Sequence, residues 1–432
     1  MLCVIMETQS GVNKMDSKKQ IVTNEDLREA FVGEKKAKKI TARESVDKGQ
    51  RKWLVMMITG AVSLVAGVVC LLVACLGLEI TKDMAEYPTI PSSSKKDVTY
   101  SALTGEALAN AELLNAPAYC IQTPNGTDGA RPQAGLTEAG VVFEAIAESG
   151  ITRFAAIYQS PTSAIIGPIR SLRIYYLEWD TPFDCTIVHA GGSGDALAAV
   201  SSGYKNLDEN YSYMYRGTYG GRLWNNLFTT AADLKKFSTD NGYNTSDIKG
   251  FARLTPAESD QQRADESVTE KLDITKPAKG DTSEVSVRVP EVALNLGGWA
   301  DFNVVYNYDA ESNTYLRSYG SGAAHQVYKC AADDLGEKNP EDVCSLTQVA
   351  PSVVVAMVVQ ESRASDNYHE DITAIGSGDA YVFQNGTVIE GEWQKASKAD
   401  QIKFTDEDGK EIKLAPGQAF VTAVPTYGSI EY

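Results

Sequence analysis

Residues 186–200 read TIVHAGGSGDALAAV, a succession that predicts a buried β-strand, a tight turn and an α-helix. The apolar run up to His189 is typical of a strand, and alanines and a leucine resume at helical spacing after Asp195. The same alternation fills residues 101–234. Strands are expected at residues 118–122, 152–158 and 184–189, and helices at 136–149, after Gly167-Pro168 and at 193–201. This order predicts an α/β domain with a mixed sheet and flanking helices.

The character of the chain changes after a polar interdomain segment, residues 235–284. Strand-like runs then flank the turn DAESN. Residues 381–393 read YVFQNGTVIEGEW, in which Asn385-Gly386 is a strong hairpin signal. We therefore expect a second, largely antiparallel β-rich domain over residues 285–432.

An apolar segment near the N-terminus predicts a membrane anchor. Residues 53–78 contain no charged side chain and exceed the roughly 20 residues that a spanning helix needs. Residues 1–52 carry 12 Lys and Arg against 8 Asp and Glu, which predicts a cytoplasmic tail and a single transmembrane helix. Residues 79–100 then form a stalk, and residues 80–432 are extracytoplasmic. The alternative is a lipid anchor at Cys75, because LVAC has the shape of a bacterial lipidation site.

The charge of the remaining chain limits its partners. Beyond residue 52 there are 28 Lys and Arg against 49 Asp and Glu. Such acidity argues against binding to nucleic acid and against docking on anionic lipid headgroups. The glycine-rich turn lacks the lysine of a phosphate-binding loop and the spacing of a dinucleotide fingerprint, so we expect no cofactor.

Four cysteines fall in the predicted extracytoplasmic part, where disulfides form readily. Cys330 and Cys344 bracket a polar loop, and Cys120 and Cys185 would join two predicted strands. Three pairings are possible, and four free buried thiols are the alternative. No cysteine or histidine cluster has the spacing of a zinc site, so no metal is expected.

Two short motifs contain the candidate ligand-binding residues. His189 ends a predicted strand next to the turn HAGGS, and ligands of α/β sheets bind where strands end. The motif GPIRSLR places Arg170 and Arg173 in the first turn of a predicted helix, where cations oppose the helix dipole. Either an anionic ligand or salt bridges to nearby acids would compensate these two charges.

Carboxylates offer a catalytic alternative. Glu144 and Glu148 are four residues apart on the predicted helix 136–149, so they form either a solvated face or a pair for acid–base chemistry. An envelope hydrolase or transferase would use His189 as base with Glu144 or Asp195. No complete catalytic set is visible, and a binding protein is the preferred interpretation.

Several blocks of this sequence resemble one family. The blocks RPQAGLTEAGVVFEAIAESGITRF, IGPIRSLRIYY and HAGGS, followed by YLRSYGSGAAH, GSGDAYVFQNGTVIEGEWQK and IKLAPGQAFVTAVP, are similar to the YerB-like bacterial lipoproteins. The resemblance covers about residues 101–228 and 283–427. It implies a two-domain envelope protein with no established reaction. The 52 residues before the apolar segment depart from the short leader that is usual in that family.

These observations lead to one functional hypothesis. We expect a membrane-anchored extracytoplasmic protein that binds a cell-envelope glycan or anionic polymer, or another envelope protein as a scaffold or interaction module. The residues expected to contact the ligand, partly from the resemblance, are Arg131, Glu138, Glu144, Arg153, Arg170, Arg173, His189, Gly191, Gly192 and Ser193.

Overall fold

The structure is a computed structural model that describes residues 98–217, 225–264, 291–297, 299–331 and 339–432. Residues Ser93–Tyr432 form one compact unit. Within the described ranges, no helix has the length and apolarity needed to cross a membrane. The predicted tail and transmembrane segment, residues 1–78, and most of the predicted stalk lie outside the described residues.

The described elements are mostly strands. The strands are β1 Ala118–Pro124, β2 Val141–Glu148, β3 Ile151–Gln159, β4 Thr186–Val188, β5 Asn206–Leu207, β6 Tyr215–Arg216, β7 Leu227–Phe228, β8 Glu291–Asn295, β9 Val304–Asp309, β10 Thr314–Tyr319, β11 Gln326–Lys329, β12 Ser345–Gln348, β13 Val353–Val359, β14 Glu361–Arg363, β15 Glu370–Ile372, β16 Gly376–Gln384, β17 Thr387–Lys395, β18 Lys403–Asp406, β19 Ala419–Pro425 and β20 Ser429–Glu431. The α-helices are α1 Ile174–Asp180, α2 Gly194–Val200, α3 Ala231–Asn241, α4 Pro256–Arg263 and α5 Pro340–Val343. Short 3-10 helices cover Ala111–Asn115, Leu136–Glu138, Thr181–Phe183 and Ala300–Phe302.

A ten-stranded mixed sheet organises the molecule, in the order β18-β17-β16-β13-β19-β2-β3-β1-β4-β5. Its two halves come from the predicted α/β and β-rich segments. They join where β19 runs parallel to β2, with Ala419 opposite Val141 and Thr422 opposite Glu144. The mixed α/β part and the strand-rich part that the sequence predicts therefore share one hydrogen-bonded sheet.

Both faces of this sheet are covered. Tyr176 and Trp179 of α1 and Val200 of α2 pack on one face. The other face is covered by α3 and by a second, antiparallel sheet in the order β10-β9-β8-β20, which contributes Tyr306 and Tyr315 to the core. Strands enclosed on both sides have apolar residues pointing both ways, which explains their nearly continuous apolar sequences.

The prediction of a helix over residues 136–149 is wrong. Only Leu136–Glu138 is helical, as a 3-10 turn, and Val141–Glu148 is the central strand β2. An apolar stripe at helical spacing and a strand buried on both faces both produce a dense apolar run, so periodicity does not separate them. Glu144, expected on a solvated helix face, is fully buried as a consequence.

The helix predicted after Gly167-Pro168 begins later than expected. It starts at Ile174, with Arg173 as its N-cap residue, and Arg170 lies in the extended segment before it. Neither arginine therefore occupies the first helical turn. The expected conflict between two cations in the first turn and the helix dipole is therefore absent.

Local turn signals are confirmed. Strand β4 leads through the glycine-rich turn into α2, as residues 186–200 predict. Strands β16 and β17 form a hairpin in which Asn385 and Gly386 have φ of 53° and 74°. Positive φ at both central residues is the requirement of a type I′ turn, which matches the right-handed strand twist.

The structure contains two disulfides, Cys120–Cys185 and Cys330–Cys344, separated by 65 and 14 residues along the chain. The first joins β1 to the residue before β4, which are neighbouring parallel strands. The second closes the loop between β11 and β12. Free thiols, the alternative, are absent from these four positions.

Candidate functional site

Three arginines surround one glutamate at the end of β2. Arg153 on β3 donates from Nη2 to Glu148 Oε1 at 2.8 Å, and Arg173 at the start of α1 donates from Nη2 to Glu148 Oε2 at 2.7 Å. Arg170 lies close enough to interact electrostatically with all three. We call Glu148, Arg153, Arg170 and Arg173 the arginine cluster. Glu148 lies at the β2–β3 corner and Arg173 directly precedes α1, so the cluster joins residues that are 25 positions apart in sequence.

The arginine cluster has more positive than negative charge. Burial and then the neighbouring Arg153 lower the pKa of both Arg170 and Arg173. Burial alone would raise the pKa of Glu148, but Arg153 and Arg173 hold it below its usual value. Arg153 and Arg173 are each 4% exposed, and their Nε atoms have no hydrogen-bond partner. The positive charge of the cluster is therefore only partly neutralised, and its side chains are largely shielded from water.

Arg170 is the least satisfied member. Its backbone N–H donates to Gln122 O and its carbonyl accepts from Ala190 N, so the main chain is fixed on both sides. Its half-buried guanidinium makes no hydrogen bond or ion pair within the described residues. Asp128 is the other acid that interacts with it electrostatically.

The turn after β4 is bound by its backbone to the segment that carries Arg170. Leu172 N donates to Gly191 O at 2.9 Å, and Ser193 N donates to Leu172 O at 3.1 Å. A Cβ on Gly192 would lie 3.0 Å from Leu172 O, closer than nearly all real contacts. The glycines of HAGGS thus permit two loops to approach closely, and GPIRSLR does lie against this turn.

His189 has a structural role in the same turn. It is fully buried, with Nδ1 2.8 Å from Gly191 O and Nε2 2.8 Å from Asn206 Oδ1. Glu144, its predicted catalytic partner, binds Arg317 instead, and Asp195 accepts from Ala196 N. The contacts of His189 and Glu144 are separate, so the structure does not assemble the proposed base and carboxylate.

Glu144 belongs to a buried ion pair between the two sheets. Arg317 on β10 donates from Nη2 to both carboxylate oxygens, at 2.9 and 2.8 Å, and both side chains are 0% exposed. Thr152 Oγ1 also donates to Glu144 at 3.0 Å, and Arg317 contacts His325 and Tyr306. Sequence inspection missed Arg317, which lies 173 positions from Glu144.

Arg131 and Glu138 also lie apart from the arginine cluster. Arg131 stacks on Tyr319 with its guanidinium carbon 3.6 Å from the ring centroid, and its Nε donates to Asn125 Oδ1. Glu138 Oε2 accepts from the backbone of Thr162 at 2.7 Å. Of the predicted ligand-binding residues, the structure brings together Arg153, Arg170, Arg173 and the turn of Gly191, Gly192 and Ser193, with Glu148 added.

In the described part of the chain, no three His, Cys, Asp or Glu side chains are grouped so that they could hold a metal ion. The catalytic use of Glu144 and Glu148 as a pair is also unsupported, since each is held in its own ion pairs with arginine.

Comparison with known proteins defines the class. Residues 103–244 match the N-terminal domain, and residues 294–421 the C-terminal domain, of the family described as a protein of unknown function, DUF3048. The chain belongs to this family. It is 28% identical over 306 residues to the protein named "Putative lipoprotein YerB" of Bacillus subtilis (strain 168), covering 70% of this chain and 79% of that protein. The resemblance to the YerB-like proteins is confirmed.

The same relative supplies a solved fold. The crystal structure of YerB from Bacillus subtilis superposes with a TM-score of 0.58 at 22% identity and covers 77% of this chain and all of the other. At this identity the match supports the fold alone.

Proposed function

We propose that this protein is a membrane-anchored, extracytoplasmic envelope protein that binds an anionic group of an envelope polymer at the arginine cluster. One observation carries the proposal. Arg153 and Arg173 share a single glutamate, and the guanidinium of the neighbouring Arg170 has no side-chain partner in the described residues of a strongly acidic chain. In such a chain, acids that could neutralise these charges are abundant, so the unmatched cation favours an external anion.

The physical chemistry of the cluster suits phosphate or carboxylate. A guanidinium presents a planar fork of donors that binds two oxygens of such a group at once. Burial disfavours the charged form of Arg170, and a bound anion would reverse that effect on its pKa. The backbone contacts of Arg170 fix the position from which its side chain extends, which lowers the entropy lost on binding.

The location rests on three features. The similarity to a protein named as a lipoprotein favours attachment to a membrane. The basic tail before residues 53–78 favours an extracytoplasmic position for the remainder, by either a spanning helix or a lipid on Cys75. Two disulfides suit an oxidising compartment.

The experiment compares polyanion binding by three forms of the full chain in neutral detergent. Calorimetric titration with poly(glycerol phosphate) should show saturable binding to the unsubstituted protein, weakened about tenfold by Arg170→Ala, since loss of one charge-assisted contact has that size. Arg263→Ala is the matched control, because Arg263 is an arginine on the helix α4, outside the cluster.

Binding should also weaken as salt is raised, because the contact is ionic. Equal affinity of the Arg170→Ala and unsubstituted forms would refute the assignment of the site. Absence of any saturable polyanion binding would refute the proposed function.

A further inference from the structure

A second site lies beside the ribbon formed by β14 and β15. It is a pocket of about 260 Å³, which we call the carboxyl pocket. It is lined by Gly150, Gly297, Glu361, Arg363, Glu370 and Tyr427. None of these residues belongs to the arginine cluster or to a sequence-predicted site. Gly150, however, is two residues from Glu148, so the two sites adjoin at the β2–β3 turn.

Two acids share one face of the β14–β15 ribbon. Glu361 is opposite Ile372 and Arg363 is opposite Glu370, so alternation along the strands places all four on the same side. Tyr427 donates from its hydroxyl to Glu361 Oε1 at 2.6 Å, whereas the buried Oε2 has no hydrogen-bond partner. Burial raises the pKa of Glu361 to about 7, and the charge of Glu370 acts in the same direction.

Two exposed aromatic residues lie in or next to the carboxyl pocket. Tyr427 is 58% exposed and packs on Gly297, where a Cβ would lie 2.2 Å from the tyrosine ring. Trp299 is 69% exposed, although its Nε1 donates to Ser149 O at 3.0 Å, next to Gly150 in the pocket lining. Large rings held by a polar atom but left mostly in water are typical of recognition surfaces.

We propose that the carboxyl pocket binds one uncharged sugar ring of a glycan, stacked on Trp299 and Tyr427 and hydrogen-bonded by Glu361 and Glu370. The volume is below that of sites for drug-sized ligands, which suits a single ring. Carboxyl oxygens accept hydrogen bonds from hydroxyl groups, and the C–H face of a pyranose packs on an aromatic ring. Two acids beside a single arginine repel phosphate and carboxylate, so the ligand differs from that of the arginine cluster.

The test uses the full chain in a zwitterionic detergent, because detergents with sugar headgroups would compete for the pocket. The probe is tetra-N-acetylchitotetraose, an uncharged oligosaccharide, titrated calorimetrically at pH 7. We expect saturable binding that Trp299→Ala weakens about tenfold through loss of the stacked ring. Glu361→Ala should weaken it by a similar factor through loss of a hydrogen bond to a hydroxyl group.

Tyr211→Ala is the matched control, because Tyr211 is 63% exposed and lies outside the lining of the carboxyl pocket. It should bind the probe like the unsubstituted protein. Unfolding midpoints of all variants establish that each is folded, and Trp299, being exposed, is removable without loss of packing.

Lack of saturable binding to the uncharged probe would overturn the proposal. So would unchanged affinity in both Trp299→Ala and Glu361→Ala. The site is independent of the proposed function: Arg170→Ala should leave binding of the uncharged sugar intact, and Trp299→Ala should leave polyanion binding intact.

Discussion

Removing the charge of Glu144 should destabilise the protein strongly. Glu144 and Arg317 are both fully buried between the two sheets, and Arg317 donates twice to the carboxylate. Burial opposes the charged form of Arg317, yet Glu144 raises its pKa above the usual value. Glu144→Gln conserves volume but leaves a buried guanidinium without a counter-charge. Breaking such a pair from one side costs about 3–5 kcal/mol, a large share of the roughly 5–15 kcal/mol that stabilise a domain.

A double-mutant cycle measures this interaction. The measurement is urea unfolding of residues 93–432, monitored by near-ultraviolet circular dichroism. We expect the free energy of unfolding to fall by about 3–5 kcal/mol in Glu144→Gln and in Arg317→Met. The loss of unfolding free energy in the double variant should be smaller than the sum of the two single losses by about 2 kcal/mol or more. The reason is that the double variant no longer contains an unpaired buried charge.

An exposed ion pair is the control. Lys413→Met breaks the contact with Glu258 in a pair whose side chains are about half exposed, and should change the free energy of unfolding by less than about 1 kcal/mol. If Glu144→Gln fell in that same range, or if the effects of the two buried substitutions were additive, the buried pair would not stabilise the contact between the sheets.

Three further predictions concern other parts of the fold. Replacing Cys120 and Cys185 together by alanine should lower the free energy of unfolding by about 4 kcal/mol, from loop-closure entropy over 65 residues, as measured by urea unfolding. The folded state raises the pKa of Glu361 from 4.5 to about 7. The contribution of this group to the stability of the fold is therefore fully present at low pH and is lost as the pH rises through 7. Glu361→Gln should therefore match the unsubstituted protein near pH 4 and exceed it by about 1–2 kcal/mol at pH 8, after allowance for solvent screening; the reverse order in pH-dependent melting would contradict this. Gly391→Val should disrupt the β17–β18 edge, because a Cβ there would lie 1.9 Å from Thr405 O, and loss of hydrogen-exchange protection in β18 would show it.

Features that depend on residues adjacent in the chain could be predicted from the sequence. The hairpin at Asn385-Gly386 follows from the positive φ that both residues tolerate. The strand, turn and helix of residues 186–200 follow from an apolar run, paired glycines and resumed helical spacing. The family resemblance also followed from short blocks, and it added Arg153 to the two arginines that the motif GPIRSLR indicates.

Other features depended on partners distant in sequence. Strand β2 was predicted as a helix because its apolar residues face both sides of the sheet, and only its neighbours β3 and β19 show that it is a strand. Arg317 had no local signal as the partner of Glu144, and Glu361, Tyr427 and Trp299 come from three separate segments.

The sequence by itself determined the hairpin at Asn385-Gly386, the strand, turn and helix of residues 186–200, the cysteine positions and the excess of acid, since each depends on residues close together in the chain or on composition. The tertiary structure alone decided that the two predicted segments share one sheet and that Glu144 is buried against Arg317. It also decided that His189 stabilises a turn while the arginines gather around Glu148. The physical reason is that the charge state, burial and accessibility of a side chain are set by groups that folding brings from tens to hundreds of residues away.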